Sequence, residues 1–282
     1  MLREMRNALP EEDLLYVADS GFAPYGDRPR EFIKGRAEAI VEFFVRERVK
    51  AIVVACNTAT AVAIQTLRSR FTIAIVAIEP AVKPAAQITK SGVIGILGTS
   101  RTLASESFSR LVEKYGKGVE ILLQPCPGLM EQVENGELDG ARTEALVARY
   151  VCPLLDRGAD TIVLGCTHYP FLLPTIRAIA GPTVAVVDPA VAVARELHRR
   201  LNTSELLSCK ENPGLERFWT SGVPDQVESV VGQLWGKKVK VHSLPSVISQ
   251  GQVVYASFAG ASLDGENAAA TELSISPSRP KA

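Results

Sequence analysis

Seven short apolar runs, separated by stretches with helical spacing, constrain this chain more than any other feature. The runs are LLYVA (14–18), AIVVA (51–55), IAIVAI (73–78), GVIGIL (92–97), VEILLQ (119–124), TIVLG (161–165) and TVAVV (183–187). Between them lie EFIKGRAEAIVEFFVRER, TATAVAIQTLRSR, ASESFSRLVEKYG and DGARTEALVARYVCPLLDRG, which read as helices. Runs that are apolar without alternation suit strands covered on both faces. Strands alternating with helices predict an α/β fold of doubly wound parallel sheets. The strand count is generous for one sheet, so the pattern predicts two α/β lobes.

The charge balance narrows the partners. Lys+Arg and Asp+Glu are 31 each among 282 residues, which removes any electrostatic case for nucleic acid or an anionic membrane. No apolar run approaches a membrane span, and the start MLREMRNALPEED lacks the apolar stretch of a secretory leader. The expectation is a soluble, cytoplasmic protein. Residues 246–282 are rich in Ser, Ala and Gly and are expected to be a disordered tail, VVYASF (253–258) included. The glycines at 92, 95 and 98 do not form the GxGxxG of a dinucleotide site and read as strand and turn glycines.

The chemistry points to cysteine. Cys56, Cys126, Cys152, Cys166 and Cys209 have neither zinc-site nor CxxC spacing. Each on its own reads as a small buried hydrophobe, a reading kept for Cys126, Cys152 and Cys209. Two are different. AIVVACNTATA (51–61) and TIVLGCTHYPF (161–171) share one layout of apolar strand, small residue, cysteine, polar pair and helix start. Parallel sheets bind ligands beyond the carboxyl ends of their strands, and a helix N-terminus lowers a thiol pKa and attracts anions. Thr58 and Thr167 suit capping or ligand contact. A redox pair would more economically use adjacent cysteines. A Cys–His hydrolase needs a base opposite its nucleophile, whereas His168 is two residues from Cys166. Two-base proton transfer fits both turns: one thiolate removes a carbon-bound proton and the other thiol delivers one to the opposite face.

CNTATA, LGCTHYP and PYG, in this order, resemble the cofactor-independent aspartate/glutamate racemase superfamily and within it the members acting on glutamate. GTSRTLAS (98–105), CPGLMEQVENGELDG (126–140) and FWTSG (218–222) extend the resemblance to about residue 240. It implies two related doubly wound α/β lobes with the active site in the cleft between them, a first lobe of residues 1–84 completed by 190–245 and a second of 85–189. It also implies interconversion of L- and D-glutamate with no cofactor and no metal, D-glutamate supply for peptidoglycan, and a homodimer. By motif position Cys56 and Cys166 are the catalytic thiols, assisted by His168 and Glu134. Asn57, Thr58 and Thr167 contact substrate, Tyr25 and Gly26 hold its carboxylate, and Thr99 and Thr102 lie within reach of it. From the residues alone, Glu134 reads as a solvated helix-end carboxylate and His168 as a cap. Aspartate or another acidic substrate, or a binding protein without turnover, are the alternatives.

The stretch Asp19-Ser20-Gly21 looks like a catalytic turn, and the resemblance assigns it elsewhere. In the family the catalytic acid follows the very first strand, and a helix like LREMRNALP comes after it. Here that helix begins at Met1, and Asp19 leads straight into PYG. Asp19 is therefore expected to be a turn residue. The family's first strand and its acid are thus expected to be missing here, either because the natural protein starts further upstream or because this is a truncated form with weak or no activity.

Overall fold

The computed structural model describes residues 1–245; VVYASF and the rest of 246–282 lie outside the described residues. In chain order the elements are α1 (Leu2–Ala8), β1 (Leu14–Ala18), α2 (Arg30–Arg46), β2 (Ala51–Val54), α3 (Asn57–Arg70), β3 (Ala74–Ala77) and α4 (Val82–Ile88). Next come β4 (Val93–Gly98), α5 (Ser100–Leu103), α6 (Glu106–Tyr115), β5 (Glu120–Pro125), α7 (Leu129–Glu134), α8 (Ala141–Asp156) and β6 (Thr161–Leu164). A 3-10 turn (Tyr169–Leu172) leads into α9 (Leu173–Ala180), β7 (Ala185–Val187), α10 (Ala190–Thr203), β8 (Glu216–Thr220), α11 (Pro224–Trp235) and β9 (Val241–Ser243). Among the described residues no helix is long and apolar enough to cross a membrane.

The order β5-β4-β6-β7 makes a four-stranded parallel sheet. Its middle strands are the most buried among the described residues because helices cover both their faces: all four residues of β6 and five of six in β4 are buried. Ile94, Ile96 and Val163 pack with Val82, Ala85 and Phe108 of α4 and α6. Leu97, Ile162 and Leu164 pack on the other face with Val147, Val151 and Ile176 of α8 and α9. Gly95 permits the close approach of α8, since a Cβ there would lie 2.6 Å from Leu154 Cδ1.

The other lobe is built differently. Its strands form two parallel sheets, β1-β8-β9 and β2-β3, rather than one. Alternate residues of β2 face opposite layers, as the two-residue period of a strand requires. Ala51 and Val53 pack with Met5, Leu197 and Leu201 of α1 and α10. Ile52 and Val54 pack with Ala37, Val41, Ala63 and Leu67 of α2 and α3. The spacing Ile33, Ala37, Val41 is the buried stripe that makes α2 a helix against this sheet.

All seven apolar runs are strands, and β1 has the predicted bounds. Two strands escaped the pattern. In β8 the apolar residues follow Glu216 and Arg217, and β9 is three residues long, too short for any periodicity to register.

Candidate active site

Both cysteine turns stand where a strand hands over to a helix. Cys56 is the N-cap residue of α3, and its Sγ accepts from the Ala59 N–H at 3.5 Å. The capping role expected of Thr58 is thus taken by the cysteine itself. Burial pushes the Cys56 thiol up to about 11, against the opposing pull of the Ala59 and Thr58 N–H groups. Cys166 follows β6 through Gly165. That residue's N–H donates to Leu97 O at 2.7 Å, and a Cβ on it would lie 2.6 Å from the same oxygen, so only glycine lets the turn sit this close to β4.

The two thiols have unlike partners. Cys166 Sγ lies 3.6 Å from His168 Nδ1, and His168 Nε2 is 2.6 Å from Glu134 Oε1. Burial opposes charge on the imidazole, but the hydrogen bonds to Cys166 and Glu134 prevail and raise its pKa to about 10. The bond to His168 in turn holds the Glu134 carboxyl below the usual carboxylate range, against its partial burial. The result is an imidazolium held by a carboxylate and aimed at the sulfur of Cys166. Neither simple reading of these residues survives. Glu134 ends α7 but is engaged, and His168 makes no side-chain cap to the turn that follows it.

Asn57 and Thr167 tie the turns together reciprocally. Asn57 Nδ2 donates to Gly165 O at 2.9 Å, and Thr167 Oγ1 donates to Ala55 O at 3.0 Å. Each polar residue following one cysteine thereby grips the carbonyl preceding the other. Asn57 is buried, and its Oδ1 has no hydrogen-bond partner in the protein. Thr58, Thr99 and Thr102 form a hydroxyl triangle: Thr58 Oγ1 is 3.0 Å from Thr99 Oγ1 and 3.2 Å from Thr102 Oγ1, and Thr99 donates to Thr102 at 2.9 Å. It joins the start of α3 to α5.

Tyr25 OH donates to Asp19 Oδ2. The Asp19 carboxylate also accepts from Arg36 Nε at 3.0 Å and from Arg36 Nη2, while the guanidinium lies 3.9 Å over the Phe22 ring. Asp19 therefore does more than the turn role expected of it. Its carbonyl accepts from the Phe22 and Ala23 N–H groups, as in a turn, but its side chain also anchors the PYG loop. Burial, followed by the Asp19 charge, raises the Tyr25 phenol well above its ordinary pKa, so it stays a donor. Gly26 O accepts from Arg101 Nε at 3.0 Å. Arg36 escaped sequence reasoning; it sits within α2, and no local motif flags a cation 17 residues from its carboxylate.

Tyr25, Gly26, Cys56, Asn57, Thr58, Glu134, Cys166, Thr167 and His168 all line one cavity of about 580 Å³. Cys126 is buried, as expected, whereas Cys152 and Cys209 are exposed, which corrects their reading as core residues. Cys152 lies on the outer face of α8, and Cys209 follows α10 in a surface connection. Among the described residues no cluster of His, Cys, Asp or Glu side chains could hold a metal ion.

Comparison with known proteins adds the following. The Asp/Glu/Hydantoin racemase family model matches residues 1–197. A glutamate racemase of Methylococcus capsulatus is 48% identical over 251 residues, covering 89% of this chain and 93% of that protein. The crystal structure of glutamate racemase isoform RacE1 from Bacillus anthracis aligns with a TM-score of 0.79 at 31% identity, over 86% of this chain and 92% of that one. A glutamate racemase of Francisella tularensis, solved in complex with D-glutamate, aligns with a TM-score of 0.75 at 26% identity, over 87% and 92%.

Proposed function

Because the chain belongs to the Asp/Glu/Hydantoin racemase family, we propose that it interconverts L- and D-glutamate by two-base proton transfer between Cys56 and Cys166. The observation that carries this reading is the pair of matching strand-to-helix turns that present two thiols to one cavity. Their unlike surroundings divide the roles. Cys166, with imidazolium His168 3.6 Å from its sulfur, is assigned the base of the forward step, and Cys56, buried and raised to about 11, the acid.

In the forward step Cys166 takes the α-hydrogen as a proton, and the C–H electron pair stays on the α-carbon. Cys56 gives its proton to the opposite face. The products are the inverted amino acid, a Cys166 thiol and a Cys56 thiolate, which is the state that runs the reverse reaction. The weak acidity of the α-carbon is the barrier, so fixed donors must surround the developing carbanion. N–H groups at the start of α3 suit a substrate carboxylate, as does the Tyr25–Gly26 loop. Asn57 Oδ1, buried and without a protein donor, suits the substrate ammonium. Thr58 and Thr167 complete the wall.

The enzyme would act in the cytoplasm on free glutamate, as a homodimer, supplying D-glutamate for peptidoglycan. The test is α-proton exchange in D₂O, followed by NMR on L- and D-glutamate separately. Exchange and racemisation of both enantiomers are expected. Exchange on aspartate alone would overturn the glutamate assignment, and binding of D-glutamate without exchange would overturn the reaction.

A further inference from the structure

The loop that follows β1 is held by side chains from both lobes. From its own lobe, Asp19 accepts from Tyr25 OH, and Arg36 of α2 binds the same carboxylate. From the other, Arg101 Nε donates to Gly26 O at 3.0 Å. Arg101 lies in α5, which follows β4 of the four-stranded sheet, 75 residues further along the chain. The backbones also meet there, since a Cβ on Gly26 would lie 3.9 Å from Thr99 Cβ.

Two successive peptide groups of the loop are oriented in this way. Tyr25 O accepts from the Arg28 N–H at 3.2 Å, which fixes the plane that carries the Gly26 N–H. The bond from Arg101 fixes the next plane through the Gly26 carbonyl. Among the described residues the N–H groups of Tyr25 and Gly26 have no hydrogen-bond partner. Both residues line the cavity, whereas Arg101 reaches Gly26 from outside it. Gly26 does not adopt a positive φ, and a Cβ there would make an ordinary contact, so crowding does not immobilise it. A glycine left to itself samples more backbone states than any other residue, and this one needs an outside hold.

Arg101 is itself well anchored. Thr99 caps α5 by accepting from the Thr102 N–H at 3.2 Å, and both hydroxyls bond Thr58, two residues from Cys56. Arg101 stands between these two threonines in sequence. One short helix therefore touches two walls of the cavity, the start of α3 through its threonines and the Tyr25–Gly26 loop through its arginine. Among the described residues Arg101 makes no ion pair, and its one hydrogen bond is to that loop.

We propose that Arg101 is a positioning residue: from the second lobe it holds Gly26 O, so that the loop's free N–H groups stand ready for a substrate carboxylate and keep their place relative to Cys56. A charged donor makes a stronger bond to a carbonyl than a neutral one, and a loop ordered beforehand loses less entropy when the substrate arrives. Any movement of α5 would shift Gly26 and Thr58 together. The inference rests on the assignment of the Tyr25–Gly26 loop to a substrate carboxylate.

The test is Arg101→Met, with Arg101→Lys as the conservative variant. The measurements are steady-state kinetics, D-glutamate affinity by calorimetry, thermal melting, and ¹⁵N relaxation of the free protein. A carboxylate is charged before and after proton transfer, so the loop contributes uniform binding. Arg101→Met is expected to raise KM for both enantiomers and the Kd of D-glutamate by roughly tenfold, the worth of one hydrogen bond from a charged group. It should leave kcat within about threefold, and Arg101→Lys should fall between it and the wild type. In Arg101→Met the order parameters of Tyr25, Gly26 and Asp27 should drop from about 0.85 to below about 0.6, with β1 and α2 unchanged. Unchanged order parameters would overturn the proposal; they are read without substrate, so they decide it whether or not the wild type racemises glutamate. A raised KM with an ordered loop would overturn it too, in favour of direct contact between Arg101 and substrate. A lower kcat and Tm with KM unchanged would overturn it in favour of a purely structural role. A loosened loop and weakened D-glutamate binding, in a protein whose wild type shows no α-proton exchange, would uphold the positioning role and overturn the reaction alone.

Discussion

Cys56 and Cys166 are alike in local sequence and unlike in chemistry, and the difference comes from residues far away in the chain. Changing either to Ser should lower kcat by roughly 10²–10⁴-fold, the usual contribution of one positioned acid or base; a variant near full rate in the D₂O assay would end the two-base scheme. Glu134→Gln should act through His168. Without the carboxylate the imidazolium loses its proton more readily, so the alkaline limb of the kcat/KM profile should move to lower pH. His168 also links stability to pH. Its folded pKa of about 10 lies above the ordinary 6.5, so across that window the folded state holds a proton that the unfolded state has released. Its contribution to stability is complete below about pH 6.5 and is lost as pH rises toward about 10. Thermal melts across this range should show the decline, and His168→Asn should flatten it. The thiols were legible because CNT and CTH are local patterns. Arg36 and the second role of Asp19 were not, because a bidentate ion pair across a helix leaves no spacing to read.

Among the elements, strands were legible where burial on both faces makes a continuous apolar run, as in β4 and β6. They were not legible where one face stays wet, as in β8, or where length fails, as in β9. The division of the first sheet was also invisible, because apolar runs do not say which neighbours they pair with. Two substitutions probe how the ends of elements are held. Gly165→Ala would press a methyl group on Leu97 O and push Cys166 away from β4. Overpacking of this kind costs about 1–3 kcal/mol, and a urea melt together with a matching fall in kcat should report it. Asp160, just before β6, accepts from Thr89 Oγ1 (2.6 Å) and from the N–H groups of Lys90 (2.6 Å) and Ser91 (2.7 Å), the loop that enters β4. Burial works against the charge, but these donors hold the carboxyl well below its ordinary range. Asp160→Asn should cost about 1–2 kcal/mol at neutral pH. The wild-type advantage should shrink as pH falls below about 4, where the unfolded carboxyl also takes up its proton.

Across the whole molecule, the reciprocal bonds of Asn57 and Thr167 set how the two lobes, and so the two thiols, stand to one another. Thr167→Val keeps the shape and removes the bond to Ala55 O. It should cost about 0.5–1.5 kcal/mol in a urea melt and lower kcat more than it raises KM, since misplacing one thiol impairs the proton transfer. A rise in KM alone would instead make Thr167 a simple substrate contact. The pairing of β1 bears on how the protein is made. β1 finds its hydrogen-bonded neighbour in β8, about 200 residues further along the chain, and Gly21 meets Ser221 across the same span. A ribosome adding 5–20 residues per second leaves that strand waiting about 10–40 s. During that time the four-stranded sheet of the other lobe can already have closed. The lobe translated first is the lobe completed last, and the catalytic cleft is finished only once β8 has left the ribosome.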